Sequence, residues 1–341
     1  MILITGNMGY IGRIMTKLFQ DNSCEVVGLD CGFYKDCQFY DDNTKPFKQI
    51  EKDIRDIDRS DLEGIEAIIH LAALSNDPLG KLNPDWTNQI NCAGSLKLAQ
   101  LAKESGIERF IFSSSCSIYG IADNDRPLNE ENPINPLTEY AKTKVAVEKD
   151  VSGLASDNFH PVFMRNATAY GLSPSLRLDL VVNDLVARGY LTKKITILTD
   201  GTPWRPIIHV FDLCQAFLAA LKAPVEKIHD QTFNVGINEE NYQVKDIAMH
   251  VKKIVPETSI EILSARGNDE RSYRVDFSKI KESLPDFSPV WNVKKGIDEL
   301  YKAYAQNGLA GEDLEDTNYF RLKKIKHLIE SGRLDKDLRW I

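Results

Sequence analysis

Met1-Ile2-Leu3-Ile4-Thr5-Gly6-Asn7-Met8-Gly9-Tyr10-Ile11-Gly12 opens the chain. An apolar, β-branched run reads as a short buried strand, and the glycines that follow at intervals of three carry the backbone from that strand into a helix. Without side chains at Gly6, Gly9 and Gly12, the turn, with Tyr10 and Ile11 in it, can approach a pyrophosphate whose charge faces the helix N-terminus. The spacing is GxxGxxG rather than GxGxxG, and a three-glycine match alone is weak evidence.

The residues downstream strengthen it. The next strand, Glu25-Val26-Val27-Gly28-Leu29-Asp30, ends in a carboxylate at the distance where an acid accepts hydrogen bonds from both hydroxyls of an adenosine ribose. Asp30 would repel a 2′-phosphate, so NAD is expected as cofactor rather than NADP. Asp53-Ile54-Arg55-Asp56 follows the third strand, where such folds contact adenine; taken alone it is an ordinary charged loop. His70-Leu71-Ala72-Ala73 closes the fourth strand with small residues that leave room beside a dinucleotide, and His70 reads as a packed, hydrogen-bonded residue rather than a catalyst.

Strands are expected at 1–5, 25–30, 47–52, 66–71, 109–114 and 160–165, with helical periodicity over 10–21, 84–105 and 137–155. This alternation predicts an α/β fold, a doubly wound parallel Rossmann sheet with a smaller C-terminal α/β substrate lobe. The Rossmann domain is placed at 1–168 with segments returning at about 205–235, an interleaved lobe at 169–304, where prolines break the pattern, and a helical appendage on the surface at 305–341.

The composition, 43% hydrophobic and 27% charged over 341 residues, is that of a folded globular protein. A formal charge of -8 argues against a nucleic-acid partner, which a basic face would bind. The six cysteines show no paired or metal-binding spacing, so no metal is expected. A chain start without a basic, apolar leader and the lack of an 18-residue apolar run point to a cytoplasmic protein with no membrane partner.

The chemistry is carried by Ser113-Ser114-Ser115-Cys116-Ser117-Ile118-Tyr119-Gly120 at the end of strand 5 and by Tyr140-Ala141-Lys142-Thr143-Lys144 on the helix after Pro136. Residues four apart share a helix face, so Tyr140 and Lys144 point into one site. A free phenol, with a pKa of about 10, is a poor base at neutral pH. A neighbouring ammonium stabilises the phenolate, which suits Tyr140 to take a proton from a sugar hydroxyl, with a serine hydroxyl holding that oxygen in line.

In these motifs, taken in order, the chain resembles the extended short-chain dehydrogenase/reductases, specifically the NAD-dependent epimerase/dehydratase family, over roughly residues 1–300. The resemblance implies a catalytic triad of Ser115, Tyr140 and Lys144, with Asn91 behind it. It also implies a nucleoside-diphosphate sugar as substrate and a homodimer or higher homo-oligomer joined through the helices at 84–105 and 137–155. Asn166, after strand 6, matches the position that contacts the substrate diphosphate. Arg205, in Gly201-Thr202-Pro203-Trp204-Arg205-Pro206, matches an arginine that grips it. Arg271 or Arg274 would supply the second such arginine, and Arg177 is a further candidate. Ser75, Ser115, Cys116 and Ser117 complete the substrate side; Cys116 fits both a catalytic thiol and a small packed hydrophobe.

Relatives that eliminate water across C5 and C6 carry Asp-Glu where this chain has Cys116-Ser117, and relatives that epimerise at C3 and C5 carry a cysteine at Ser117. The expected reaction is therefore oxidation of a ring hydroxyl, at C4, by hydride transfer to NAD. A 4-epimerase returns the hydride to the other face, a dehydrogenase releases the keto sugar, and a 4-ketoreductase runs the reverse step. A non-catalytic sensor of the dinucleotide or sugar nucleotide is the reading from another class.

Overall fold

The computed structural model describes residues 1–122, 126–263 and 271–341. Its main sheet is built from strands β1 (Ile2–Thr5), β2 (Val26–Asp30), β3 (Lys48–Glu51), β4 (Ala67–His70), β5 (Arg109–Ser115) and β6 (His160–Asn166). Three short strands follow, β7 (Thr168–Tyr170), β8 (Lys194–Ile197) and β9 (Trp204–His209); then β10 (Gln231–Val235), β11 (Asn241–Gln243) and β12 (Ser259–Ile262). The sheet order is β10-β6-β5-β4-β1-β2-β3 and every pairing in it is parallel, with Ile2 facing Val26 on one side and Ala67 on the other. This is the expected doubly wound sheet. The direction of winding reverses between β1 and β4, which opens a crevice at their carboxyl ends.

Both faces are covered. The helix Tyr10–Asp21 lays Met15, Leu18 and Phe19 on one face, beside Leu213 and Phe217 of the helix Val210–Lys222. Leu98 and Ala102 of the helix Gly94–Glu104 and Val147 and Val151 of the helix Glu139–Ser152 cover the other. A third core, around Tyr170, Val182, Ile247 and Leu300, belongs to the smaller lobe, which carries the sheets β11-β9-β7 and β12-β8. Of the returning stretch at 205–235, only β10 joins the main sheet; β9 pairs with β7 and β11 instead.

The helical stretch expected over 84–105 is found as Pro84–Glu104, with Asn88–Ala93 wound as a π-helix between two α-helical pieces and helical backbone at both junctions. From that wider turn of helix the Asn91 side chain accepts from the Leu74 N–H at 2.8 Å and donates to the Leu74 carbonyl at 3.1 Å, pinning the loop after β4. One expectation changes. The tail is not a surface appendage. Its helix, Arg321–Glu330, buries Ile325 and Leu328, and Leu334 and Leu338 follow them into the core under the β2–β4 half of the sheet. Among the described residues, no helix is long and apolar enough to cross a membrane.

Candidate functional site

At the crevice the glycines meet the close approach that their spacing implied. Gly6 has φ +74, and a Cβ there would stand 2.9 Å from the Ala72 nitrogen. A Cβ on Gly12 would stand 2.1 Å from the Gly6 oxygen. Gly9, whose N–H reaches the Gly6 carbonyl at 3.1 Å, is the residue before the helix Tyr10–Asp21, so the turn delivers its backbone to that helix's N-terminus. Asp30, at the end of β2, accepts from the N–H groups of Met8 at 3.1 Å and Gly32 at 2.8 Å. Burial raises its carboxyl above the usual range, against the pull of those two bonds and of Arg321 and Arg13.

A cleft of about 750 Å³ runs from this turn past Leu71, Ala72 and Ala73 to Tyr140 and on to Arg205 and Arg271. Asp53 and Ile54 line it beyond Asp30, with the Asp53 carboxylate forked by Arg55 at 3.0 and 2.6 Å. The cradle at the turn, the carboxylate beyond it and the small residues on β4's exit fit an extended dinucleotide. His70 is held between Thr5 Oγ1 at 2.6 Å and Ser95 Oγ at 2.7 Å; burial pushes its imidazole down to about 3, so it stays neutral.

Ser115 closes β5, where its Oγ accepts the Ser117 N–H at 3.2 Å and hydrogen-bonds the Tyr140 hydroxyl. Tyr140 and Lys144 rise from the helix Glu139–Ser152, which Thr138 caps by accepting the Ala141 N–H. The Lys144 ammonium donates to the Ser113 carbonyl at 2.6 Å, 4.5 Å from the Phe112 ring centroid and 5.5 Å from that of Tyr140. Burial pulls it down to about 7, with Glu148 opposing. The Tyr140 phenol is pushed up to about 12, first by burial and then by the Asp77 carboxylate, while Ser115, Arg177 and Arg271 pull it down. Burial thus outweighs the favourable charges around the phenol. Behind the site, Glu148 accepts from Ser114 and is forked by Arg165, whose Nη2 lies 2.7 Å from Oε2.

On the substrate side, Arg177 is forked onto Asp179 at 2.8 and 3.1 Å and donates to Ser75 Oγ at 3.0 Å. Arg271 pairs with Asp77 at 2.8 Å, and Arg205 donates to the carbonyls of Trp204, at 2.9 Å, and Arg271. All five line the cleft together with Ser75 and Ser117, whose buried Oγ has no hydrogen-bond partner among the described residues. Asn166 lines it too, but its amide donates to Ser113 Oγ at 2.9 Å and the Ser114 carbonyl at 3.2 Å. Its Oδ1 is buried with no hydrogen-bond partner among the described residues.

Two further residues fall outside the cleft. Cys116 is buried in the core with Ile118 and Met164, its thiol donating to the Arg165 carbonyl at 3.0 Å and raised well above the usual range by burial; it is the packed hydrophobe, not a catalytic thiol. Arg274 stacks its guanidinium 5.1 Å from the Trp204 ring centroid. Asn91 reaches the cleft only through the loop it pins. Asp77, Asp179 and Arg321 line the cleft and were not anticipated. Asp77 could have been found, since it opens the short helix Asp77–Leu82 just after the loop leaving β4 at the carboxyl edge, where such folds build their sites; Arg321 carried no signal.

Against known proteins, a family model described as the NAD dependent epimerase/dehydratase family matches residues 2–236. The UDP-glucose 4-epimerase of Lactobacillus helveticus is 27% identical over 83% of this chain and 90% of its own length. The dTDP-D-glucose 4,6-dehydratase of Mus musculus is 25% identical over 90% of this chain and 89% of its own. A crystal structure of a UDP-glucose 4-epimerase superposes with a TM-score of 0.77 at 27% identity, covering 91% of this chain and 98% of that one. The matched stretch runs from β1 through β10 and so contains the glycine turn, Asp30, Ser115, Tyr140 and Lys144: this chain belongs to the NAD dependent epimerase/dehydratase family.

Proposed function

We propose that the chain is an NAD-dependent 4-epimerase of a nucleoside-diphosphate sugar, oxidising the C4 hydroxyl and restoring it on the opposite face. The observation that carries this reading is the placement of Tyr140, hydrogen-bonded to Ser115, in the cleft that begins at the glycine turn. No carboxylate follows Ser115: Cys116 is packed away and Ser117 faces the cleft with a hydroxyl, which argues against elimination by the Asp-Glu route.

Gly6, Gly9 and Gly12 would hold the cofactor diphosphate and Asp30 its ribose hydroxyls. When bound, the oxidised dinucleotide supplies the acceptor for the electron pair leaving the sugar carbon and a positive charge in the same cleft. Tyr140 takes the hydroxyl proton and returns it when the alcohol is restored. Ser115 holds the phenolic oxygen in line. Lys144 fixes the end of β5 through Ser113 and, when protonated, sets a positive charge near the ring that favours the phenolate. Arg205 and Arg271, at the far end, are the groups suited to the substrate diphosphate.

The test is reduced-nicotinamide absorbance of the purified protein mixed with UDP-, dTDP-, GDP- and CDP-hexoses, with product analysis of the same tubes. An epimeric product with no lasting rise is expected. A rise that persists would mean a dehydrogenase, and silence with every sugar nucleotide would favour a sensor.

Replacing Asp30 with Ser should lower the preference for NADH over NADPH at least tenfold, because the carboxylate that repels a 2′-phosphate is gone. Fluorescence titration of both dinucleotides checks this, and an unchanged ratio would remove Asp30 from the ribose.

A further inference from the structure

Outside the residues just assigned, one buried cation in the cleft has an atom with nothing to bind. Arg321 opens the tail's helix and is 4% exposed. Its Nη2 donates to the Ser175 carbonyl at 3.1 Å and to Ser175 Oγ at 2.8 Å, and its guanidinium carbon lies 4.2 Å from the Tyr34 ring centroid. Its Nη1 is buried with no hydrogen-bond partner among the described residues, although the residue lines the cleft. A buried charged donor left unpaired is expensive, so such an atom points to an acceptor that arrives with a ligand.

The surroundings name the chemistry. Arg321 feels the charge of Arg177, and the carboxylate that Arg177 forks, Asp179, is already satisfied by two bonds from it and one from Asn76 at 2.7 Å. Arg321 stacks on Tyr34, in the loop that leaves β2 just after Asp30, and its charge draws the Asp30 carboxyl down. It therefore belongs to the stretch of cleft around Asp30, away from Arg205. A planar, doubly donating cation in that position suits a diphosphate.

The tail is tied down at the same end. Trp340 Nε1 donates to the Cys31 carbonyl at 2.6 Å, and its ring lies 5.8 Å from that of Phe33. Arg339 pairs with Asp53 at 3.4 Å, and Arg55 donates to the carbonyls of Asp337, at 2.8 Å, and Leu338, at 3.2 Å. These contacts fasten the tail to the loops leaving β2 and β3, and from the tail Arg321 lines the cleft.

We propose that Arg321 is a cofactor-binding residue, donating from Nη1 to the dinucleotide diphosphate, which makes the segment after residue 305 part of the cofactor site. The proposal rests on the reading of this cleft as an NAD site. A diphosphate also occurs in a sugar nucleotide, and the test separates the two sources.

Binding of NADH, ADP-ribose, adenosine and UDP is measured by fluorescence and calorimetry for the wild-type chain and for Arg321→Met. The variant should lose about 10- to 100-fold in affinity for NADH and ADP-ribose and stay within twofold for adenosine and UDP. Unchanged NADH affinity overturns the proposal. So does a loss confined to UDP, which would assign Nη1 to the substrate, or an equal loss for adenosine, which would mean a structural role for the Ser175 contacts. If the wild-type chain itself binds no NADH, the reading of the cleft fails instead. Should Arg321→Met not fold, a crystal structure of the wild-type chain with NAD decides: a diphosphate oxygen within hydrogen-bonding distance of Nη1 supports the proposal, and its absence there overturns it.

Discussion

Replacing Tyr140 with Phe is expected to reduce turnover about 10³-fold while leaving NADH affinity within a factor of two. General base catalysis by a positioned side chain contributes roughly 10²–10⁴-fold, and the phenolic oxygen is the group that Ser115 orients in the cleft. The ring itself stays: Phe keeps the packing of the helix Glu139–Ser152 against the end of β5 and loses only the hydroxyl. The same substitution removes a buried phenol raised to about 12, so the fold is not weakened by the loss of a charge. Stopped-flow turnover and NADH titration on one preparation check both halves. A variant within tenfold of the parent would take Tyr140 out of the chemistry.

The largest effect on stability is expected from Glu148→Ala. Glu148 is buried, accepts from Ser114 and is forked by Arg165. Removing one member of such a pair strands the other charge in the interior, a loss of about 3–5 kcal/mol. Arg165 would be left with Tyr119, at 3.2 Å, and the Glu130 carbonyl, neither of them anionic at neutral pH. Because Ser114 precedes Ser115, the disorder reaches the site, and turnover should fall with stability. Urea unfolding measures the change. Glu148→Leu combined with Arg165→Met, which removes both charges, should recover most of the loss; if the single variant falls by less than about 1 kcal/mol, the pair is not the buried bridge that its geometry implies.

The parts of the site readable in the sequence are those whose geometry is set within a few residues. The glycine turn needs only its own spacing, and Tyr140 and Lys144 meet because four residues are close to one helical turn. What could not be read depends on partners far along the chain. The π-helical winding at Asn88–Ala93 accompanies the bonds of Asn91 to Leu74, and the Asn166 amide donates to Ser113 and Ser114, across the strand pair β5–β6. Lys144 is the cation near the phenol that the spacing implied, and its bond to the Ser113 carbonyl, at the neighbouring strand end, is the part the spacing did not show. The tail's polar, lysine-rich sequence resembles a solvated surface until Cys31, Asp53 and Trp86 are brought to the segment after its helix.

That closure has a consequence in time. Trp340 follows Cys31 by 309 residues. At about 5–20 residues per second, a ribosome takes roughly 15–60 s to travel from one to the other. For that interval a growing chain can have β1, β2 and the glycine turn in place while the residues that fasten the loop after β2 do not yet exist. This end of the cleft therefore waits on residues made long after its glycine turn.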